Sequence, residues 1–117
     1  QRLSIAQTAY QYRPDSLIAC GQEGEEYNSS LLAKSSNALL EISGIKASFS
    51  IGRISKTKVA ISARSTKDMN VQVIMERMGG GGHMNVAGCQ VDGSEPASVI
   101  GTIKGTLDKM IEEGELK

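Results

Sequence analysis

Two short stretches of the chain carry side chains suited to handling a phosphate. The first is Ile61-Ser62-Ala63-Arg64-Ser65, where a guanidinium stands among hydroxyls. Arginine offers a planar, bidentate cation and the serines add short hydrogen bonds, a set that matches phosphate oxygens. The second is Gly79, Gly80, Gly81 and Gly82 followed by His83, the chain's single histidine. Glycines permit positive φ and close approach of the backbone to a ligand, and successive amides can form an anion-binding concavity. His83 would then aim an imidazole N–H at a phosphate oxygen. The run is not a P-loop, because no Lys-Ser or Lys-Thr follows it, and it lacks the dinucleotide-binding glycine spacing. Taken singly, each feature has a plainer reading: a solvated strand end, a flexible linker, a structural histidine.

Whole-chain totals say little about phosphate. The 117 residues carry 13 basic and 13 acidic side chains, so net charge gives no argument for a nucleic-acid or membrane surface. Position matters more. From Ile42 to Lys67 there are six basic residues (Lys46, Arg53, Lys56, Lys58, Arg64, Lys67) and no acid, whereas Asp92 to Lys117 holds six acids against three lysines. Cys20 and Cys89 lie far apart, each beside a glycine, and read as small unpaired hydrophobes of a reducing compartment. One histidine and two distant cysteines are too few ligands for a metal centre in this chain. No apolar run approaches the ~18 residues of a membrane helix. The chain opens on Gln1 and is read as a soluble fragment of a larger protein.

The elements that must position these residues follow from periodicity. Leu3, Ala6, Ala9 and Tyr10 suggest a lead-in helix to Tyr12, ended by Pro14. Ser16 to Cys20 reads as a buried strand, and Glu23, Glu25 and Glu26 as a solvated loop. Asn28 or Ser29 can cap a helix running to Gly44. Two segments of period 2 follow, Ile45 to Ile51 and Thr57 to Ala63, joined by a turn over Gly52 to Lys56. Alternation places Lys58, Ser62 and Arg64 on the face opposite Val59, Ile61 and Ala63. Val71, Ile74, Met75 and Met78 define an amphipathic helix over about 69–78, capped by Asp68 or Asn70 and ended by Gly79. Ala87 to Val91 would form another strand. Pro96 starts a closing helix with Val99, Ile100, Ile103, Leu107, Met110 and Ile111 inward. The class is α/β or α+β with a mixed sheet, and residues 1–117 form a single domain.

The pattern S-x-R-S over Ser62 to Ser65, a short helix, then GGGGH followed by Ala87 and Gly88, resembles the C-terminal associated domain of DHH-type phosphoesterases. Within that superfamily, Asn70-Val71-Gln72-Val73-Ile74-Met75-Glu76 is most similar to bacterial membrane-anchored cyclic-di-AMP phosphodiesterases. One departure is Asn85-Val86-Ala87, where that branch often has Asn-Ala-Ala.

The resemblance implies a two-part enzyme. A preceding catalytic domain, to which residues 1–14 would lead, carries Asp-His-His and two manganese ions; this chain supplies the substrate-binding set. By motif position that set is Ser62, Arg64, Ser65, Asn70, Gly79, Gly80, Gly81, Gly82 and His83, with no metal ligand and no catalytic group except a phosphate-stabilising role for Arg64 and His83. The expected substrate is cyclic-di-AMP, hydrolysed to a linear dinucleotide. The parent is expected in the bacterial cell membrane, with this domain cytoplasmic and out of contact with the bilayer. A homodimer is compatible with the resemblance. Two alternatives stay open: an oligoribonuclease branch acting on short oligonucleotides, and a noncatalytic nucleotide-binding module.

Overall fold

The computed structural model describes residues 4–114. Six strands form one mixed sheet: β1 (Tyr10–Gln11), β2 (Ser16–Cys20), β3 (Ala47–Arg53), β4 (Lys58–Ser65), β5 (Gly81–His83) and β6 (Val86–Asp92), in the order β1-β2-β3-β4-β6-β5. β2 and β3 are parallel, and every other neighbouring pair is antiparallel. Three helices cover the sheet: α1 (Ser29–Leu40), α2 (Val71–Arg77) and α3 (Pro96–Glu112).

Period 2 on the central strands divides the core between the two faces. Ile18, Phe49, Ile51, Val59, Ile61 and Ala63 pack with Ile74 and Met75 of α2 and with Ile103, Leu107 and Met110 of α3. On the other face Leu17, Ala19 and Ala60 pack with Leu32 and Leu39 of α1 and with Ile5 and Tyr27. The α1 contact also contains a buried polar seam. The Ser36 hydroxyl donates to the Ser62 carbonyl at 2.7 Å, Ser36 and Ser50 hydroxyls meet at 2.8 Å, and Ser48 donates to the Ser36 carbonyl at 2.7 Å. Small side chains let the helix sit close to β3 and β4, and the hydrogen bonds fix its register along them.

The helix starts follow the expected chemistry. Asn28 caps α1 by accepting from the Leu31 amide, and Asn70 caps α2 by accepting from the amides of Gln72 and Val73. Pro96 occupies the first turn of α3, while Glu95 makes no side-chain cap. Both cysteines are free.

The lead-in helix differs from expectation. Its first three residues lie outside the described ones; over the remainder the chain makes a single 3-10 turn, Ile5–Thr8, and then enters β1. A capping box between Ser4 and Gln7 closes the turn, and pairing of Tyr10 with Ile18 and Gln11 with Leu17 then satisfies the backbone better than a helix burying only Ile5.

β1 is fastened to α3. Arg13 follows it at φ 64, a conformation costing a non-glycine residue about 1–2 kcal/mol. Its Nε donates to Asp108 Oδ1 at 2.7 Å, the Tyr12 hydroxyl donates to the same carboxylate, and Lys104 lies over both the Tyr10 and Tyr12 rings. The Tyr12 hydroxyl and the Arg13 guanidinium hold the Asp108 carboxyl below its ordinary range. A depressed carboxylate pKa contributes stability above the unfolded value, near pH 4, which is lost as pH falls through the folded one. The melting-temperature gap between wild type and Asp108→Asn is therefore expected to be constant from about pH 5 to 8 and to close toward pH 2. A gap that persists at pH 2 would assign the effect to packing instead.

Candidate functional site

The side chains that β4, β6 and β5 present toward α1 define the site. Register puts Arg64, Val86 and His83 directly opposite one another, and Ser62, Gly88 and Gly81 in the next row. Directly opposed residues point to the same face, so Ser62, Arg64 and His83 share one surface. α1 covers β3 and β4 but leaves this part of the sheet open. Beside the Arg64 and His83 row, which stands outside its lining, lies a groove of about 340 Å³ lined by Ser29, Ala60, Ser62, Gly80, Gly88 and Gln90, with Ile61 and Cys89. Arg64 and His83 stand two strand spacings apart, about 10 Å.

Arg64 differs from the other described arginines. Arg13, Arg53 and Arg77 pair with Asp108, Glu95 and Glu113 at 2.7, 2.9 and 3.6 Å. Arg64 is half-buried and contacts only neutral acceptors: Nε donates to Asn37 Oδ1 and an Nη to the Ala63 carbonyl, both at 2.9 Å. Burial, with no carboxylate to offset it, pushes its pKa down. A guanidinium stays charged under such conditions. The arrangement is an oriented cation, partly desolvated, with donors left over for an external anion. His83 is exposed on the edge strand.

The four glycines play different parts. Gly79, at φ 91, ends α2, and its amide and that of Gly80 donate to the carbonyls of Glu76 and Met75. The expected concavity of successive free amides is therefore not what forms: two amides close the helix, and Gly81 and Gly82 enter the β5 ladder. Gly80 and Gly82 lie against β6 so tightly that an added Cβ would fall 2.2 Å from the Gly88 carbonyl oxygen and 2.5 Å from the Ala87 Cα, respectively. Gly81 has no positive φ, and nothing lies within 4 Å of its would-be Cβ. Its bareness leaves open space on the sheet face it shares with Ser62 and His83.

Two of the expected ligand residues, Ser65 and Asn70, have partners within the chain. Ser65, one residue beyond Arg64, points to the opposite face and is buried; its hydroxyl donates to the Met69 carbonyl at 2.7 Å and accepts from Asn85 Nδ2 at 2.9 Å. Asn85 Nδ2 also reaches the carbonyls of Thr66 and Met69. Asn70 spends its carboxamide oxygen on the α2 cap. These residues tie the β5–β6 hairpin to the end of β4, holding the two motifs together from behind. The basic hairpin is also less free than its composition suggests, since Arg53 pairs with Glu95 and Lys58 with Asp92.

Sequence reading missed Asn37 and Gln90. Asn37 sits one turn before the end of α1, and nothing in local spacing links it to β4. Gln90 shares the face of Gly88 by alternation alone, a signal that was present but weak. Among the described residues no group of three His, Cys, Asp or Glu side chains is arranged to hold a metal ion.

Comparison with known proteins places these features in context. A family model described as DHHA1 domain matches residues 14–113. The chain is 34% identical over 116 residues to the cyclic-di-AMP phosphodiesterase GdpP of Bacillus subtilis (strain 168), covering 97% of this chain and 18% of that protein. It is 44% identical over 95 residues to a membrane protein-large ribosomal subunit bL9 fusion protein of Aster yellows witches'-broom phytoplasma, covering 80% and 11%. Among solved structures, an exopolyphosphatase-related protein from Bacteroides fragilis superposes with a TM-score of 0.78 at 19% identity, over 91% of this chain and 32% of that one. The chain thus spans less than a fifth of the curated relatives it matches.

Proposed function

The chain belongs to the DHHA1 domain family, and from that premise we propose that it is the substrate-binding half of a phosphodiesterase acting on cyclic-di-AMP. The observation that carries this reading is Arg64, a half-buried guanidinium held by Asn37 and the Ala63 carbonyl with no acidic partner. Arg64 grips a nonbridging phosphate oxygen, and His83, in the same cross-strand row, donates to a second. Ser62 adds a hydroxyl from the neighbouring row. Donors fixed before the reaction offset charge as it develops on the phosphate. In this reading the two manganese ions belong to a preceding domain of the parent protein, and this chain orients the phosphodiester against that domain. The similarity to GdpP and to a protein named as a fusion of a membrane protein with large ribosomal subunit bL9 supports a multidomain hydrolase anchored in the membrane; in this reading the present domain faces the cytoplasm. No helix among the described residues is long and apolar enough to cross a bilayer.

The test compares the full-length parent with the present chain. The parent should hydrolyse cyclic-di-AMP faster than the linear dinucleotide, and the present chain should bind the cyclic form without consuming it. Faster turnover of linear di- to pentanucleotides would move the assignment to the oligoribonuclease branch. Binding with no hydrolysis by the parent would leave a nucleotide-sensing module.

A further inference from the structure

Beside the row that holds Arg64 and His83, the same sheet face carries small residues. Gly88 sits between Ser62 and Gly81 in register, and Gly80 and Gly88 line the groove together with Ala60 and Ser62, so the floor is made of small residues. Two residues along β6 the carboxamide of Gln90 closes the lining, with Ser29 of α1 opposite. Gln90 is exposed, and no hydrogen bond to its side chain forms among the described residues. Strand rise puts the Gln90 row about 14 Å from the Arg64 row, a distance an extended nucleotide and the two side chains reaching for its ends can span.

We propose that this floor of small residues is a nucleobase subsite and that Gln90 reads the base as adenine. The inference rests on the phosphate reading of Arg64 and His83. A flat ring needs a flat surface. The chain has no tryptophan; Phe49 and Tyr27 are buried, and Tyr10 and Tyr12 lie against Lys104 at the other edge of the sheet. No aromatic platform is therefore at hand, and the base lies over the open space at Gly81 and the small residues beside it. Gly81 supports this directly, because neither its backbone conformation nor its neighbours require glycine. A carboxamide accepts from an exocyclic amino group and donates to N7 at once, the pairing adenine offers. Guanine presents two acceptors along that edge, N7 and O6, and places O6 against the carboxamide oxygen.

Titration calorimetry of the chain with AMP, GMP and ribose 5-phosphate tests the inference. Gln90→Ala should weaken AMP about 10-fold, the worth of one bidentate base contact, and leave GMP and ribose 5-phosphate within a factor of two. Gly81→Ala should keep the wild-type melting temperature and ribose 5-phosphate affinity while losing both nucleotides. Equal effects of Gln90→Ala on AMP and GMP, or none on either, would overturn the base assignment and leave the phosphate site standing. If wild type fails to bind ribose 5-phosphate and AMP, or binds them equally well after Arg64→Ala, the phosphate reading falls and the subsite with it.

Discussion

Arg64→Ala will weaken binding of cyclic-di-AMP by the chain about 100-fold without lowering its melting temperature. The first half follows from removing a charged, preoriented partner of a phosphate: truncating one side of a desolvated charge pair costs about 3 kcal/mol, which is about two decades in affinity. The second half follows from what Arg64 lacks. Arginines that pair with carboxylates contribute to the fold, whereas this one is partly desolvated and bonded only to Asn37 and the Ala63 carbonyl. Its loss removes an uncompensated cation, so folding should be unchanged or slightly favoured. Arg64→Lys separates charge from shape. It keeps the cation but loses the fork that meets Asn37 and the ligand together, and should fall between the two, about 10-fold below wild type. Calorimetry with thermal unfolding on the same samples reads both halves. Unchanged affinity in Arg64→Ala would remove the phosphate site; a large drop in melting temperature would make Arg64 structural.

Gly80→Ala should destabilise the fold by about 3 kcal/mol, whereas Gly81→Ala, one residue away, should stay within about 0.5 kcal/mol of wild type. The difference is geometric. At position 80 a Cβ would stand 2.2 Å from the Gly88 carbonyl oxygen and 2.8 Å from the Cys89 Cα, and both are backbone atoms of the paired strand β6. Relief requires moving β5 or β6, and with it the hairpin that Asn85 anchors to Ser65. At position 81 the new methyl enters open space. Thermal unfolding should show Gly80→Ala lowered by about 10 °C and Gly81→Ala unmoved. Equal stability of the two variants would mean that the close approach of Gly80 to β6 is not maintained in solution.

The parts of the molecule legible in the sequence are those governed by local period and by caps. Alternation over Thr57 to Ala63 located β4 and sorted Ser62 and Arg64 from Val59 and Ile61; the spacing of Val71, Ile74 and Met75 located α2, and Asn28 and Asn70 cap where expected. The same alternation argues against grouping Ser65 with Arg64, because adjacent strand residues face opposite ways. The motif's spelling hid that. β5 escaped because two glycines and a histidine carry no strand propensity; it exists because β6 offers a partner. β1 escaped for a similar reason, being two residues fastened from outside by Asp108. Asn37 could not be read at all, since its meeting with Arg64 is a product of tertiary packing across 27 positions.

Strand length falls from the middle of the sheet outward: β3, β4 and β6 have seven, eight and seven residues, while the margins β1 and β5 have two and three. An open margin is a template for another chain's backbone, and the danger grows with the length of the unpaired ladder. Here each margin offers barely one repeat of it. The brevity that lets β5 carry bare glycines beside His83 also gives a stray strand too little to hold, so concentrated solutions of the domain should resist sheet-to-sheet association.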